Sequence, residues 1–302
     1  MEKVGIKKKR LNNINYLFSN PAPEEFSFIN NVNETVSFFS DIDRKMLNKT
    51  KNKIYIDLSQ VKKITVDVIM YLIAKIKKLQ YKKLTFKSFS GNVPKDVDAR
   101  KVLIESGFFD FVNSKTKTSI KNEKISISSG TTFDREQSRK ICDFIIKNSS
   151  YKRDDVYFIY EMLSEMMSNT NEHAYNDVGD NLNKWYLYAE KNDNFFEFIF
   201  LDTGVGIPTS INKRLFEKII SNDSKLLLSA LNGEYRSSTK LRTRGKGLNY
   251  IKNCARKNHI STLFVISNKG IVKFEDSKLM YSSNVENDSL EGTLYYWKLI
   301  RR

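Results

Sequence analysis

Cysteine is nearly absent from this chain of 302 residues: Cys142 and Cys254 stand far apart, with no CxxC pair and no paired histidines beside them. That spacing argues against a disulfide framework or a zinc site, and the two thiols read as small buried residues. Proline and glycine are also sparse, at 4 and 12, against 28% charged and 12% aromatic residues. Such a composition argues against long disordered or low-complexity tracts. No internal repeat is visible, and no apolar stretch runs far enough without charge to cross a bilayer. The basic start, Lys7 to Arg10, leads into Asn12, Asn13 and Asn15 rather than a secretory apolar run, so the expected location is cytoplasmic.

Acidic residues are under-represented in one half only. Residues 1–130 carry 25 Lys and Arg against 13 Asp and Glu, whereas residues 131–302 carry 26 against 22, which places most of the net charge of +16 in the first half. A positive field of this kind suits nucleic acid, an anionic membrane or an acidic protein; solvated lysine faces give the same count.

At this length two domains are expected, and the 40% hydrophobic content can supply a core for each. Ile54, Ile56 and Leu58 alternate with polar residues as a half-buried strand does. Val68, Ile69, Leu72, Ile73, Ile76 and Leu79 then recur at helical spacing, with Lys75, Lys77 and Lys78 between them expected to stay wet. A strand at LTFKSFS and a short helix stopping at Gly107 complete a β-α-β-α unit. The stretch NSKTKTSIKNEKISISSG loses large apolar residues, as a linker would, although KISISS can begin a strand; the boundary is placed near residue 125, giving domains 1–125 and 126–302. Beyond it the pattern predicts helices over 138–147 and 153–174, strands at WYLYAE and FFEFIFLD, a long polar loop, a helix opening at Gly247, and strands near TLFVIS, IVKFE and TLYYWKL.

Three clusters carry chemistry. In YEMLSEMMSNTNEHAY, Glu165, Asn169 and His173 lie four residues apart and share one helix face. An amide oxygen is a hard ligand for magnesium, and a carboxylate beside it can orient or deprotonate a nucleophile, although a solvated face produces similar letters. Next, Leu201-Asp202-Thr203-Gly204-Val205-Gly206-Ile207 sets a carboxylate at the end of an aromatic strand. That carboxylate can accept from the exocyclic amine of adenine, where guanine presents a carbonyl, and glycines let the backbone approach the base; a plain Gly-rich turn fits DTGVG equally. Third, Thr243-Arg244-Gly245-Lys246-Gly247-Leu248 precedes an apolar-periodic helix, so backbone N–H groups and basic side chains gather at a helix N-terminus, an anion site. No GxxxxGK[ST] occurs.

In this order and spacing the three clusters resemble the N, G1 and G2 boxes of the GHKL superfamily of Bergerat-fold ATPases (gyrase, heat-shock chaperone, histidine kinase and mismatch-repair proteins), and Gly292-Thr293 resembles the family's closing Gly-Thr. The resemblance covers residues 131–302. It implies an α/β (α+β) sandwich that binds ATP with Mg²⁺, in which Glu165 activates the nucleophile and Asn169 binds the metal. It further implies that Asp202 reads adenine, that Gly204 and Gly206 shape the base pocket with Thr293 near the adenine, that Gly245 and Gly247 line the phosphates with Arg244 and Lys246 adding charge there, and that His173, Ile207 and Leu248 belong to the same nucleotide site. His173 closes the first box, and the stretch 209–244 would be the ATP lid, poorly ordered without a partner.

The segment 53–112 resembles a STAS domain, the sulfate-transporter and anti-sigma-antagonist module, through IYIDLSQVKKI, the helix after it and ESGFFDFV. The resemblance implies a regulatory or docking role. Where anti-sigma antagonists carry a phosphorylatable serine, this chain reads Thr65-Val66-Asp67-Val68, so the expectation is a docking surface with Asp67 either a fixed negative charge or an ordinary acid at a helix N-terminus. His173 and His259 are the only histidines, which leaves no phosphoacceptor helix of the sensor-kinase type. Together these features imply a regulatory Ser/Thr protein kinase or nucleotide-dependent switch acting on a protein partner, with a second copy of the chain as another candidate partner. The alternative is an ATP-gated nucleic-acid-associated protein using the basic half.

Overall fold

The computed structural model describes residues 8–11, 14–47, 53–81, 89–113, 120–121, 124–172, 184–214, 222–234, 247–257 and 260–302. It is a mixed α/β protein of two compact units, one formed by residues 1–116 with 287–289 and the other by 117–286 with 290–302. The division precedes residue 125 because the strand Lys124–Gly130 pairs with the strand Trp185–Lys191 and so belongs to the second unit. Among the described residues no helix is long and apolar enough to cross a membrane.

The first unit runs β1 (Lys8–Leu11), β2 (Ile14–Pro21), β3 (Glu25–Phe26), α1 (Val32–Leu47), β4 (Lys53–Asp57), β5 (Lys63–Ile64), α2 (Val66–Tyr81), β6 (Phe89–Gly91), α3 (Val97–Glu105) and α4 (Phe108–Asn113). Its sheet has the order β1-β2-β4-β6; β1 is antiparallel to β2, and β2, β4 and β6 are parallel. The β-α-β crossover through α2 follows from the alternation of Ile54 and Ile56 and the apolar stripe from Val68 to Ile76, all of them buried. Gly107, at φ 82°, ends α3, and the chain then starts α4 where the sequence predicts that helical structure stops. Rings tie α1 to the short β3 strand, which pairs with β5 in a separate two-stranded sheet, and to α2: Phe26 lies 5.0 Å from Phe38, and Phe39 lies 4.6 Å from Tyr71.

Two side chains of α2 depart from expectation. Asp67 is fully buried, its Oδ2 accepting from the Phe28 N–H at 2.8 Å, and burial raises its pKa against the opposing hydrogen bonds of Thr65 and Phe28. It is an internal link between α2 and the segment after β3, so it presents no charge to a docking partner. Lys75 is buried rather than wet: its ammonium meets both carboxylate oxygens of Asp43, at 2.8 and 2.7 Å, and lies 5.2 Å from the centroid of the Tyr71 ring.

The second unit runs β7 (Ile120–Lys121), β8 (Lys124–Gly130), α5 (Arg135–Lys147), α6 (Arg153–Glu172), β9 (Trp185–Lys191), β10 (Phe195–Asp202), α7 (Ile207–Arg214), α8 (Asp223–Leu231), α9 (Gly247–Arg256), β11 (Thr262–Asn268), β12 (Gly270–Glu275), β13 (Lys278–Asn284) and β14 (Leu290–Ile300). Its eight strands are ordered β13-β12-β11-β14-β10-β9-β8-β7, and every adjacent pair is antiparallel. The period of two along each strand sends Leu187, Ala189, Phe196, Phe198, Phe200, Leu263, Val265, Tyr295, Trp297 and Leu299 into one core with the apolar faces of α5, α6, α8 and α9. Trp297 stacks on Phe198 with centroids 5.1 Å apart, and each such ring contributes about 2–3 kcal/mol on burial. This is the expected α+β sandwich.

Of the stretch 209–244, expected to be a long polar lid, residues 209–214 and 222–234 are described and are largely helical; the rest lies outside the described residues. Within it α7 continues to Arg214 and α8 forms under the N-cap Asn222, whose side chain accepts from the Lys225 N–H at 3.0 Å. Leu226, Leu227, Ala230 and Leu231 of α8 are all buried, which makes this helix part of the core.

Candidate functional site

The register of the large sheet determines which side chains meet at its end. Trp185 pairs with Asp202, Asp202 with Thr293, and Thr293 with Ser267 across β9, β10, β14 and β11. All four continue the rows that, one pleat further in, hold Leu187, Phe200, Tyr295 and Val265 in the core. The helix-facing side of the sheet is therefore apolar along its length and turns polar in its last row, where a carboxylate and two hydroxyls stand together.

Asp202 is half-buried beneath α6. Its Oδ1 accepts from the Gly204 N–H at 2.9 Å, and its carboxyl is also hydrogen-bonded to Thr170, whose Oγ1 lies 3.2 Å from the Met166 carbonyl oxygen. Burial pushes its pKa from 3.8 to about 6, although both hydrogen bonds pull the other way. Beside it the Tyr295 phenol is shifted upward by burial and then by the Asp202 charge, and burial lowers Lys184. A side chain at Gly204 would press on the carboxylate, its Cβ 3.2 Å from Oδ1. At Gly292, where φ is 98°, a Cβ would fall 2.0 Å from the Asp202 carbonyl oxygen, so β14 can approach β10 here only without a side chain.

The loop after Asp202 is held from β11. Ser267 Oγ accepts from the Ile207 N–H at 2.8 Å, lies 2.7 Å from Thr293 Oγ1 and reaches the Gly292 carbonyl at 3.1 Å. Thr293 is buried and, through Ser267, shares the network that caps the first turn of α7. Ile207 and Leu248 are partly buried and pack against the same core, joining the loop to α9.

Glu165 and Asn169 occupy successive turns of α6 and are both half-buried. Gly247, the first residue of α9, lies against Glu165: a Cβ there would come 2.2 Å from Oε2 and 2.9 Å from Cδ. The carboxylate of the first cluster thus meets the helix N-terminus of the third, while Thr170, one residue past Asn169, meets the carboxylate of the second. Clusters at 165–170, 202–207, 247–248 and 293 converge in one unit. His173, Arg244, Gly245 and Lys246 lie outside the described residues.

A scan against protein-family models and a search of curated proteins both find no match to this chain.

No cluster of three or more His, Cys, Asp or Glu side chains suited to a metal exists among the described residues. With one amide oxygen from Asn169 and the Glu165 carboxylate one turn away, the donor set is hard but small. It fits magnesium that arrives with the oxygens of a phosphate ligand rather than one caged by protein alone. The sequence by itself does not single out Thr170, Ser267 and Asn268 as site residues. Thr170 adjoins a motif residue but reads as a packing position, and Ser267 and Asn268 end a strand whose letters announce only a hairpin.

Proposed function

We propose that the second unit binds ATP with magnesium as a regulatory ATPase or Ser/Thr protein kinase of the GHKL class. The observation that carries the reading is the half-buried Asp202 carboxylate at the polar end of an otherwise apolar sheet face. Its carboxyl is bonded to the Gly204 N–H and to Thr170, and a carboxylate with about four acceptor positions still has capacity for an exocyclic amine. Above pH 6 the group is ionised and accepts from adenine N6, whereas the guanine carbonyl at that position offers nothing to accept. Thr293 and Ser267 supply hydroxyls beside it, and Phe200 and Tyr295 the apolar floor behind.

The reading extends to the other end of the site. Asn169 holds Mg²⁺, which neutralises charge on the phosphates when bound. Glu165 accepts the proton of the attacking hydroxyl, from water or from a substrate serine or threonine, and Gly247 opens the α9 N-terminus toward phosphate. The first unit, with its mixed β-α-β sheet, acts as a docking module for a protein partner. Its buried Asp67 excludes that residue from the contact. The same reading places the chain in the cytoplasm.

Calorimetry tests this directly. ATP with Mg²⁺ is expected to bind with a micromolar Kd, about 8 kcal/mol, and GTP at least tenfold more weakly. Equal affinities for ATP and GTP would rule the assignment out, as would binding independent of Mg²⁺.

A further inference from the structure

Asn268 is the last residue of β11 and holds φ at 51°, the left-handed region that Asn tolerates better than other residues bearing a Cβ. The pairing of β11 with β14 slips between Ser267 and Asn268, so the backbone leaves the ladder at this point. A hairpin turn explains the backbone. It does not explain the side chain, which turns away from the hairpin and makes four hydrogen bonds to other parts of the unit. Nδ2 donates to the Val205 carbonyl at 2.9 Å and to the Leu290 carbonyl at 3.3 Å, and Oδ1 accepts from the Thr209 N–H at 3.1 Å and Thr209 Oγ1 at 3.0 Å.

The Val205 and Thr209 contacts bracket Gly206. At that glycine φ is 89°, and an added Cβ would lie 2.5 Å from Asn268 Nδ2 and 2.6 Å from Oδ1. The space left by the missing side chain is thus filled by the Asn268 amide. The second glycine of DTGVG serves the clamp before it serves any ligand. With Ser267 on the Ile207 N–H, the end of the loop at Val205 and the first turn of α7 as far as Thr209 are held by two consecutive residues of β11.

We propose that Asn268 is a specificity-determining positioning residue: its amide locks the loop that follows Asp202 and so fixes the wall against which adenine is read. This rests on the nucleotide reading of the site. The amide is spent on protein atoms, with both Nδ2 protons donated and Oδ1 accepting two bonds, so Asn268 acts through the loop and touches no ligand. Loss of the clamp leaves the Asp202 carboxylate and its Gly204 contact in place and lets the wall beyond them move. Adenine discrimination then suffers more than phosphate binding does.

The test uses the full chain with Asn268→Gly, which keeps the left-handed backbone and removes the side chain, and Asn268→Asp, which keeps an acceptor for Thr209 and removes the donor to Val205. Amide exchange and ATP and GTP titrations are read for each. In N268G the Thr209 amide is expected to exchange at least about tenfold faster while the β10 and β14 amides keep their protection. ATP affinity is expected to fall by about tenfold or more and the ATP-to-GTP ratio to shrink with it. N268D should fall between N268G and the wild type. Unchanged Thr209 exchange in N268G would overturn the clamp whether or not nucleotide binds. Faster exchange with an unaltered ATP-to-GTP ratio would overturn its role in specificity. A wild-type chain that binds no nucleotide while N268G still loosens Thr209 would instead locate the failure in the nucleotide reading.

Discussion

Replacing Asp202 with asparagine separates what this carboxylate costs the fold from what it does for a ligand. In the folded chain its pKa lies at about 6, above the ordinary 3.8, so between these values the folded state binds more protons than the unfolded one. Stability from this group is therefore fully present below about pH 4 and lost as pH rises through 6. At 1.36 kcal/mol per pKa unit the loss has a ceiling of about 3 kcal/mol, and solvent on the open side of a half-buried group brings it to about 1–2 kcal/mol. The substituted amide would carry no charge to bury, keep an oxygen for the Gly204 N–H and turn an N–H proton toward Thr170. Urea denaturation is expected to show Asp202→Asn more stable than wild type by about 1–2 kcal/mol at pH 8, with the gap closing toward pH 4. The same amide nitrogen would then face a purine where an acceptor stood, opposing the adenine amine and complementing the guanine carbonyl. ATP affinity should drop by about 10- to 100-fold and the ATP-to-GTP preference should narrow or reverse. A variant less stable than wild type at pH 8 would refute the burial argument. One that gains stability yet binds ATP as before would refute adenine recognition alone.

Glu165→Ala is expected to retain nucleotide binding and lose turnover by about 10²- to 10⁴-fold, whereas Asn169→Ala should lose Mg²⁺-dependent binding; equal turnover in the wild type and Glu165→Ala would leave the carboxylate without a chemical role. Gly247→Ala places a Cβ 2.2 Å from Glu165 Oε2 and 3.2 Å from Glu165 Cβ, so the carboxylate must swing away and α6 and α9 must part slightly; turnover should fall and the melting temperature should drop modestly. Leu227→Ala on α8 should cost about 2–5 kcal/mol because Leu227 is fully buried, and a cost near zero would return α8 to the status of a loose lid.

The elements that the sequence announces are those whose period is strong and whose faces are one-sided. The expected strands WYLYAE, FFEFIFLD, TLFVIS and IVKFE coincide with β9, β10, β11 and β12 nearly residue for residue, and the helix expected over 153–174 begins where α6 does. α8 escapes because its short apolar run, Leu226 to Leu228, is set in polar surroundings; Asn222 ahead of it is nonetheless a readable cap. β13 escapes because an edge strand with Leu279, Met280 and Tyr281 all exposed has no buried face to alternate with. In the site, Glu165, Asn169 and Asp202 stand out by residue type. Thr170, Ser267 and Asn268 do not, since their role comes from tertiary contacts, made by register and a turn, with residues distant in the chain.

Lys75 gives the first unit a chemical reporter of its own folding. An ammonium with only 4% of its side chain exposed, held between the Asp43 carboxylate and the Tyr71 ring, is shielded from amine-reactive acylating reagents that reach exposed lysines readily. Graded acylation of the intact chain followed by peptide mass mapping would then leave Lys75 unmodified while Lys62, whose side chain is 65% exposed, is labelled. The appearance of label at Lys75 would mark the opening of α2 from α1 without any spectroscopic probe. Loss of the Asp43 partner by substitution should advance that labelling ahead of global unfolding.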